Sequence, residues 1–380
     1  MEKLKKSQKE KCSMSIELII SIVKVLFILG LLLTNTIILI WLERKILAGM
    51  QSRVGPDRAG PFGIFQTVAD AIKLLLKEQI FPLNASKGMY LLAPIVALVP
   101  SFLIFMIIPL GPDLALIVNG KDINVPLVGA DLNVGVLFFL AISSVAVYSV
   151  VLAGWSSGSK YPLLGGIRAS AQMISYEAAL GLSVVPVILY SGSMSLSRIV
   201  ASQEGYLSSP FSIPVIENII QMVPKWNIFP QFIAFGIFFI AAVAEVNRAP
   251  FDLVEAEQEL VGGFHTEYSG FRFAMFFLAE YINMFNMCAI TATFFLGGWL
   301  GPTFPNVLPP IVSVFMPFVW LGAKIFFLLF IFIWIRATLP RLRYDQLMEL
   351  GWKGLIPFSL VWILLSSLVL GVREFGFPWS

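Results

Sequence analysis

Eight predominantly apolar runs, most of them close to the roughly 20 residues that a membrane-crossing helix needs, divide this chain at 18–42, 89–110, 132–154, 167–191, 229–246, 271–297, 311–335 and 355–372. The fifth is the shortest and starts beside Pro230. The first follows a lysine-rich N-terminal tail, 1–17. It reads as a retained span, because its apolar run is too long for a signal peptide and no small-residue cleavage site follows. The pattern predicts an all-α integral membrane protein in which 1–380 form a single membrane domain with about eight transmembrane helices.

Between the first two runs the period changes. Gln66, Asp70, Lys73 and Lys77 recur at steps of four, three and four, which makes one stripe on a helix. Around them stand Phe62, Ile64, Phe65, Val68, Ala69, Ile72, Leu74 and Leu75, and Pro61 suits a first helical position. The segment 61–77 is therefore expected to be an amphipathic helix lying in the membrane interface. A plain surface anchor explains that pattern equally well.

Orientation follows from the basic residues. Loops after the first, third, fifth and seventh runs hold Arg44, Lys45, Arg53, Arg58, Lys160, Arg248, Arg336, Arg341 and Arg343 among others, whereas those after the second, fourth and sixth hold only Lys121, Arg198 and Lys225. The odd loops are expected on the cytoplasmic side or its organelle equivalent. Both termini then lie outside, an arrangement that the lysine-rich tail opposes and the internal loops outweigh.

Composition narrows the chemistry. The chain is 58% hydrophobic and 13% charged, outside the range of soluble domains. Cys12 and Cys288 are too few and too far apart for an iron–sulfur cluster or a structural zinc, and His265 is the only histidine. Neither a metal site nor a haem pair can be assembled from these residues, so any redox cofactor is expected on another chain. The net charge of +3 points to no particular partner, and no nucleic-acid footprint is visible.

The charges that do occur are concentrated. Glu245, Asp252, Glu255, Glu257, Glu259, Glu267 and Glu280 fall in one stretch with only Arg248 and Arg272 to face them. The loop 246–270 on the cytoplasmic side is thus acidic, yet Leu253, Val254, Ala256, Leu260 and Val261 interleave its acids, which favours an inward fold or a partner over a solvated loop. Asp252, Glu255 and Glu259 would share a face if helical, and crowded carboxylates raise one another's pKa. Glu280 lies nine residues into the sixth run, about 13 Å deep, and Glu177 is similarly deep in the fourth. Lys324 lies within the seventh. A structural ion pair would explain any one of these, but three together beside an acidic loop favour a path for protons. His265 is a possible proton donor, although a lone loop histidine is more often a hydrogen-bonded structural residue.

Four segments carry a resemblance: WLERKILAGMQSRVGPDRAGPFGIFQTVADAIKLLLKE (41–78), GGIRASAQMISYEAAL (165–180), AEVNRAPFDLVEAEQELVGGFHTEYSGFRFAMFFLAEYINM (244–284) and IRATLPRLRYDQLMELGWK (335–353). They resemble the membrane subunit at the quinone pocket of proton-pumping NADH:quinone oxidoreductase, respiratory complex I, which carries the letter H in bacterial naming and the number 1 in mitochondrial naming. The resemblance implies a subunit that forms the quinone access tunnel and couples quinone reduction to proton translocation, inactive alone, in a bacterial inner membrane or organelle equivalent. It implies no cofactor on this chain, quinone as substrate, and FMN and iron–sulfur clusters on partner subunits. Those partners would be the peripheral-arm subunits with the terminal cluster, together with antiporter-like and small membrane subunits. Carried onto this sequence, the tunnel draws on Arg44, Arg53, Asp70, Arg248, Glu255 and Arg336, and the proton route on Glu177, Glu245, Glu255, Glu257 and Glu280. A homologous subunit of a hydrogenase- or formate-linked complex without quinone is the alternative. A free-standing transporter is disfavoured because no internal repeat is visible.

Overall fold

The structure is a computed structural model and describes residues 2–118, 121–205, 224–252, 262–301 and 310–375, the side chains of 2–20, 114–124, 310–314 and 374–375 aside. Helix α1 (Glu2–Met50) is continuous, so it carries through both the tail and the predicted end of the first span at 42. Next come a 3₁₀ turn at Pro61–Gly63, α2 (Phe65–Leu76), α3 (Lys87–Met106), strands β1 (Leu114–Val118) and β2 (Lys121–Val125), α4 (Gly135–Ser156), α5 (Lys160–Ser191) and α6 (Leu196–Ser202). After them stand α7 (Phe232–Glu245), α8 (Gly270–Phe295), α9 (Pro310–Thr338) and α10 (Tyr344–Glu349). A π-helical turn at Leu350–Leu355 leads from α10 into α11 (Ile356–Phe375).

Among the described residues seven helices are long and apolar enough to cross a membrane, and α7 is a shorter apolar helix of 14 residues. At 1.5 Å per residue α7 spans only about 21 Å, less than the roughly 30 Å of hydrocarbon. It stops where Asn247 takes a positive φ of 54°, which turns the chain directly after Glu245. Pro94, Pro100 and Pro186 sit inside α3 and α5, as buried membrane helices tolerate when neighbours and hydroxyls satisfy the backbone.

Two local features depart from expectation. The amphipathic helix begins at Phe65, not Pro61. Gly63 adopts φ +78° and its Cα lies so close to the Pro56 carbonyl that a Cβ would stand 2.3 Å from the oxygen, while Phe62 is itself left-handed at φ 55°, so the chain turns before it can enter a helix. The other is an antiparallel hairpin outside the helices, pairing Leu114 with Val125 through Val118 with Lys121.

The packing order is α3 on α4, α4 on α5, α5 on α7 and α8 on α3. Helix α8 is the most enclosed, with Ile282, Cys288, Ala289, Ile290, Phe294 and Phe295 wholly buried. α11 faces outward along most of its length, exposing Phe358, Leu364, Leu365 and Leu368. That apolar exterior around a packed interior is the pattern of a multi-pass integral membrane protein.

Candidate functional site

The loops after α1, α7 and α9 meet at one end of the bundle. Because α1 continues past residue 42, Glu43 lies within a helix and faces the interior at 2% exposure, while Arg44, one helical step on, faces α2. The turn after α7 delivers Arg248 to the same place. Gln172 of α5 holds that turn by donating its side-chain amide to Ala244 O at 2.9 Å and Phe251 O at 2.7 Å. The Leu342 amide then ties Pro250 to the segment after α9.

Arg248 is the hub. Its Nη1 donates to Glu43 Oε1 at 2.9 Å, its Nε lies 2.7 Å from Glu280 Oε1, and its guanidinium stands 4.4 Å from the Tyr281 ring centroid. Arg336, at the end of α9, donates to the same Glu43 oxygen. Among the described residues, two carboxylates and two guanidinia thus form one largely buried network drawn from α1, α8, α9 and the loop after α7. Burial alone would work against a charged Arg248, but Glu280 and Glu43 outweigh it and hold the guanidinium more firmly protonated than in water. Any change of charge on one carboxylate must be felt by every other member.

Beside this network lies a partly open cavity of about 70 Å³, bordered by Glu245, Asp252, Glu280, Asn247, Asn283 and His265. Glu245 is 7% exposed and lies near Glu177 and Ser143, and its Oε2 has no hydrogen-bond partner among the described residues. Glu177 in turn accepts a hydrogen bond from Ser144 of α4. Asp252 is buried and faces Arg341 at 3.4 Å. Glu280 and Glu245 thus both border the cavity beside the Arg248 network, and Glu177 lies close enough to Glu245 to act on it electrostatically.

The outer edge of the site is Asp70 on α2, which accepts from Arg44 at 2.6 Å and Gln66 at 3.1 Å and stands 3.5 Å from Lys73. Its main partner is thus a cation of α1 rather than its own stripe. Partial burial pushes the carboxyl up, but the Arg44 contact prevails and holds it below its ordinary value. Lys77 falls just past the helix end in extended conformation. Arg53 is exposed and donates to Gln51 at 2.8 Å.

Glu255, Glu257 and Glu259 lie outside the described residues. Lys324 is the deep charge that the structure separates from the acids. Its Nζ donates to Leu296 O at 2.5 Å, Gly298 O at 2.9 Å and Leu300 O, and it stands 4.4 Å from the Trp226 ring. A cation on the free carbonyls that follow a helix is a capping arrangement. Sequence reasoning missed Glu43 and Tyr281. An acid placed directly before Arg44 and Lys45 in a positive-inside cluster was the available signal.

A family profile described as NADH dehydrogenase matches residues 23–367. The chain is 50% identical over 359 residues, 94% of its length and 99% of the relative's, to the NADH-quinone oxidoreductase H-type subunit numbered 1 of Geobacter metallireducens. It is 46% identical over 373 residues, 95% of its length and 99% of the relative's, to the NADH-quinone oxidoreductase H-type subunit numbered 2 of Koribacter versatilis.

Proposed function

This chain belongs to the NADH dehydrogenase family, as a membrane-embedded H-type subunit of a multi-subunit NADH-quinone oxidoreductase, and from that premise we propose that it forms the quinone access tunnel and couples quinone reduction to proton movement. The observation that carries the reading is the buried Glu43–Arg248–Glu280 network, with Arg336 at one edge and an acid-lined cavity at the other. Ionisable groups at such depth are costly, and their arrangement as one coupled set matches a task in which charge changes.

The tunnel wall in this reading is Arg44, Arg53, Asp70, Arg248, Glu255 and Arg336. Quinone taking up two electrons and two protons passes through negative charge, which attracts Arg248 and Arg336. Their carboxylate partners then lose part of their compensation and rise in proton affinity. Glu280 borders both the network and the cavity, so a proton gained there is placed on the route through Glu245 and Glu177, with Glu255 and Glu257 of the acidic loop at its entrance. The electrons come from FMN and iron–sulfur clusters on partner subunits of the peripheral arm. Antiporter-like and small membrane subunits receive the route at its far end.

Arg336→Ala tests the tunnel. Donor-to-quinone electron transfer should fall while transfer from the donor to an artificial acceptor upstream of quinone holds. An equal fall in both would mark a failure of assembly and remove the tunnel role.

A further inference from the structure

One side chain on the cavity wall has no part in that route. The 3₁₀ turn Gly263–His265 lies against α5 so closely that a Cβ on Gly165 would come within 2.7 Å of Gly263 Cα. The His265 ring is boxed by aromatics, with centroids at 3.9 Å from Phe264, 5.7 Å from Phe273 and 5.3 Å from Phe276, the last two edge-on. Its backbone is held as well, His265 N donating to Gly262 O at 3.2 Å and Tyr268 N donating to His265 O at 3.0 Å. The imidazole is thus packed between rings on a held backbone, and its buried Nδ1 has no hydrogen-bond partner among the described residues.

Two further atoms on the same wall, Glu245 Oε2 and Asn247 Oδ1, are also buried without a partner there. An unpaired buried polar atom costs about 1–3 kcal/mol, and such groups are normally bridged by water when the space is polar and roomy. All three atoms belong to residues that border one cavity.

Building on the proton route above, we propose that His265 is a positioning residue for that route: its Nδ1 anchors a hydrogen-bonded chain of water that ends on the carboxylates of Glu245 and Glu280. Among the described residues, the titratable groups facing this space besides His265 are Glu245 at the end of α7, Asp252 beyond it and Glu280 of α8, with Glu177 of α5 acting on Glu245. Burial in the aromatic box pushes the imidazole down to about 3, so the ring stays neutral. A neutral ring orients water without adding a second cation to compete with Arg248 for Glu280.

The test uses the intact complex reconstituted in vesicles, with His265→Asn, His265→Gln and His265→Leu. An Asn amide can occupy the place of Nδ1, a Gln amide the place of Nε2, and Leu neither. His265→Leu and His265→Gln should lower quinone-reductase kcat about tenfold, the kinetic equivalent of one buried hydrogen bond, with KM for quinone unchanged and His265→Asn near wild type. Transfer to the artificial acceptor should be unaffected in all three. Should His265→Leu not assemble, the contrast between Asn and Gln decides. Equal turnover in Asn and Gln, or a loss that appears in KM alone, overturns the proposal. Glu280→Gln measured alongside separates the two readings. Wild-type turnover there sinks the route itself, whereas impaired Glu280→Gln with unimpaired His265 variants sinks only the role of His265.

Discussion

Neutralising Glu43 should release the whole charge network. Its Oε1 accepts from both Arg248 and Arg336, and the side chains of Glu43 and Arg248 are only 3% and 6% exposed. Glu43→Gln removes the carboxylate that Arg248 and Arg336 share, and stripping a buried pair of one partner costs about 3–5 kcal/mol. Arg336 is 29% exposed and can rehydrate, which places the expected loss at the lower end, about 3 kcal/mol. Adding Arg336→Gln restores the charge balance, so the double variant should recover about 1–3 kcal/mol as coupling. The assay is the rate at which the purified complex loses donor-to-quinone activity at a fixed elevated temperature. Glu43→Gln should inactivate up to about 100-fold faster than wild type, and the double variant should regain about tenfold. Asp345→Asn is the control, since Asp345 meets Arg343 at 3.0 Å with both side chains at least 70% exposed. If Glu43→Gln inactivates no faster than that surface variant, the network is not the coupled unit described.

Asp70→Asn should slow quinone turnover without loosening membrane attachment, and cysteines at 66, 70, 73 and 77 should become reactive to a polar label only once the peripheral arm is stripped off. Since Arg44 lowers the carboxyl's pKa, the stability that Asp70 contributes should be present above the unfolded value near 3.8 and be lost as pH falls through the folded one, a trend absent in Asp70→Asn. Lys324→Met should speed thermal inactivation while protons moved per electron pair stay constant, because the amine caps carbonyls; a fall in that ratio with stability intact would return Lys324 to the proton route.

What is legible in the sequence is whatever depends on cost. Apolar runs of membrane length announce the spans, and Glu280 and Arg248 stand out because charge at such positions is expensive. Glu43 is hidden by its neighbours: beside Arg44 and Lys45, at the expected end of a span, it reads as part of an anchor, and only the continuation of α1 to Met50 turns it inward. The partners of Lys324 depend on where the end of α8 falls in space, which no local pattern reveals. The late start of α2 follows from a backbone contact between Gly63 and Pro56, again a tertiary effect. The hairpin has a local signal, Asn119-Gly120 between two short β-prone runs, that a reading for membrane-length runs passes over.

Glu280 links the charge network to the cavity, since it touches Arg248 on one side and borders the cavity on the other. The decisive measurement is quinone reduction and proton translocation by Glu280→Gln in sealed vesicles, with assembly followed through electron transfer to the artificial acceptor. An amide keeps the shape of the side chain but cannot change charge. The Glu280→Gln complex should assemble and lose both activities together. Wild-type rates of both in the assembled complex would contradict the proton route through Glu280.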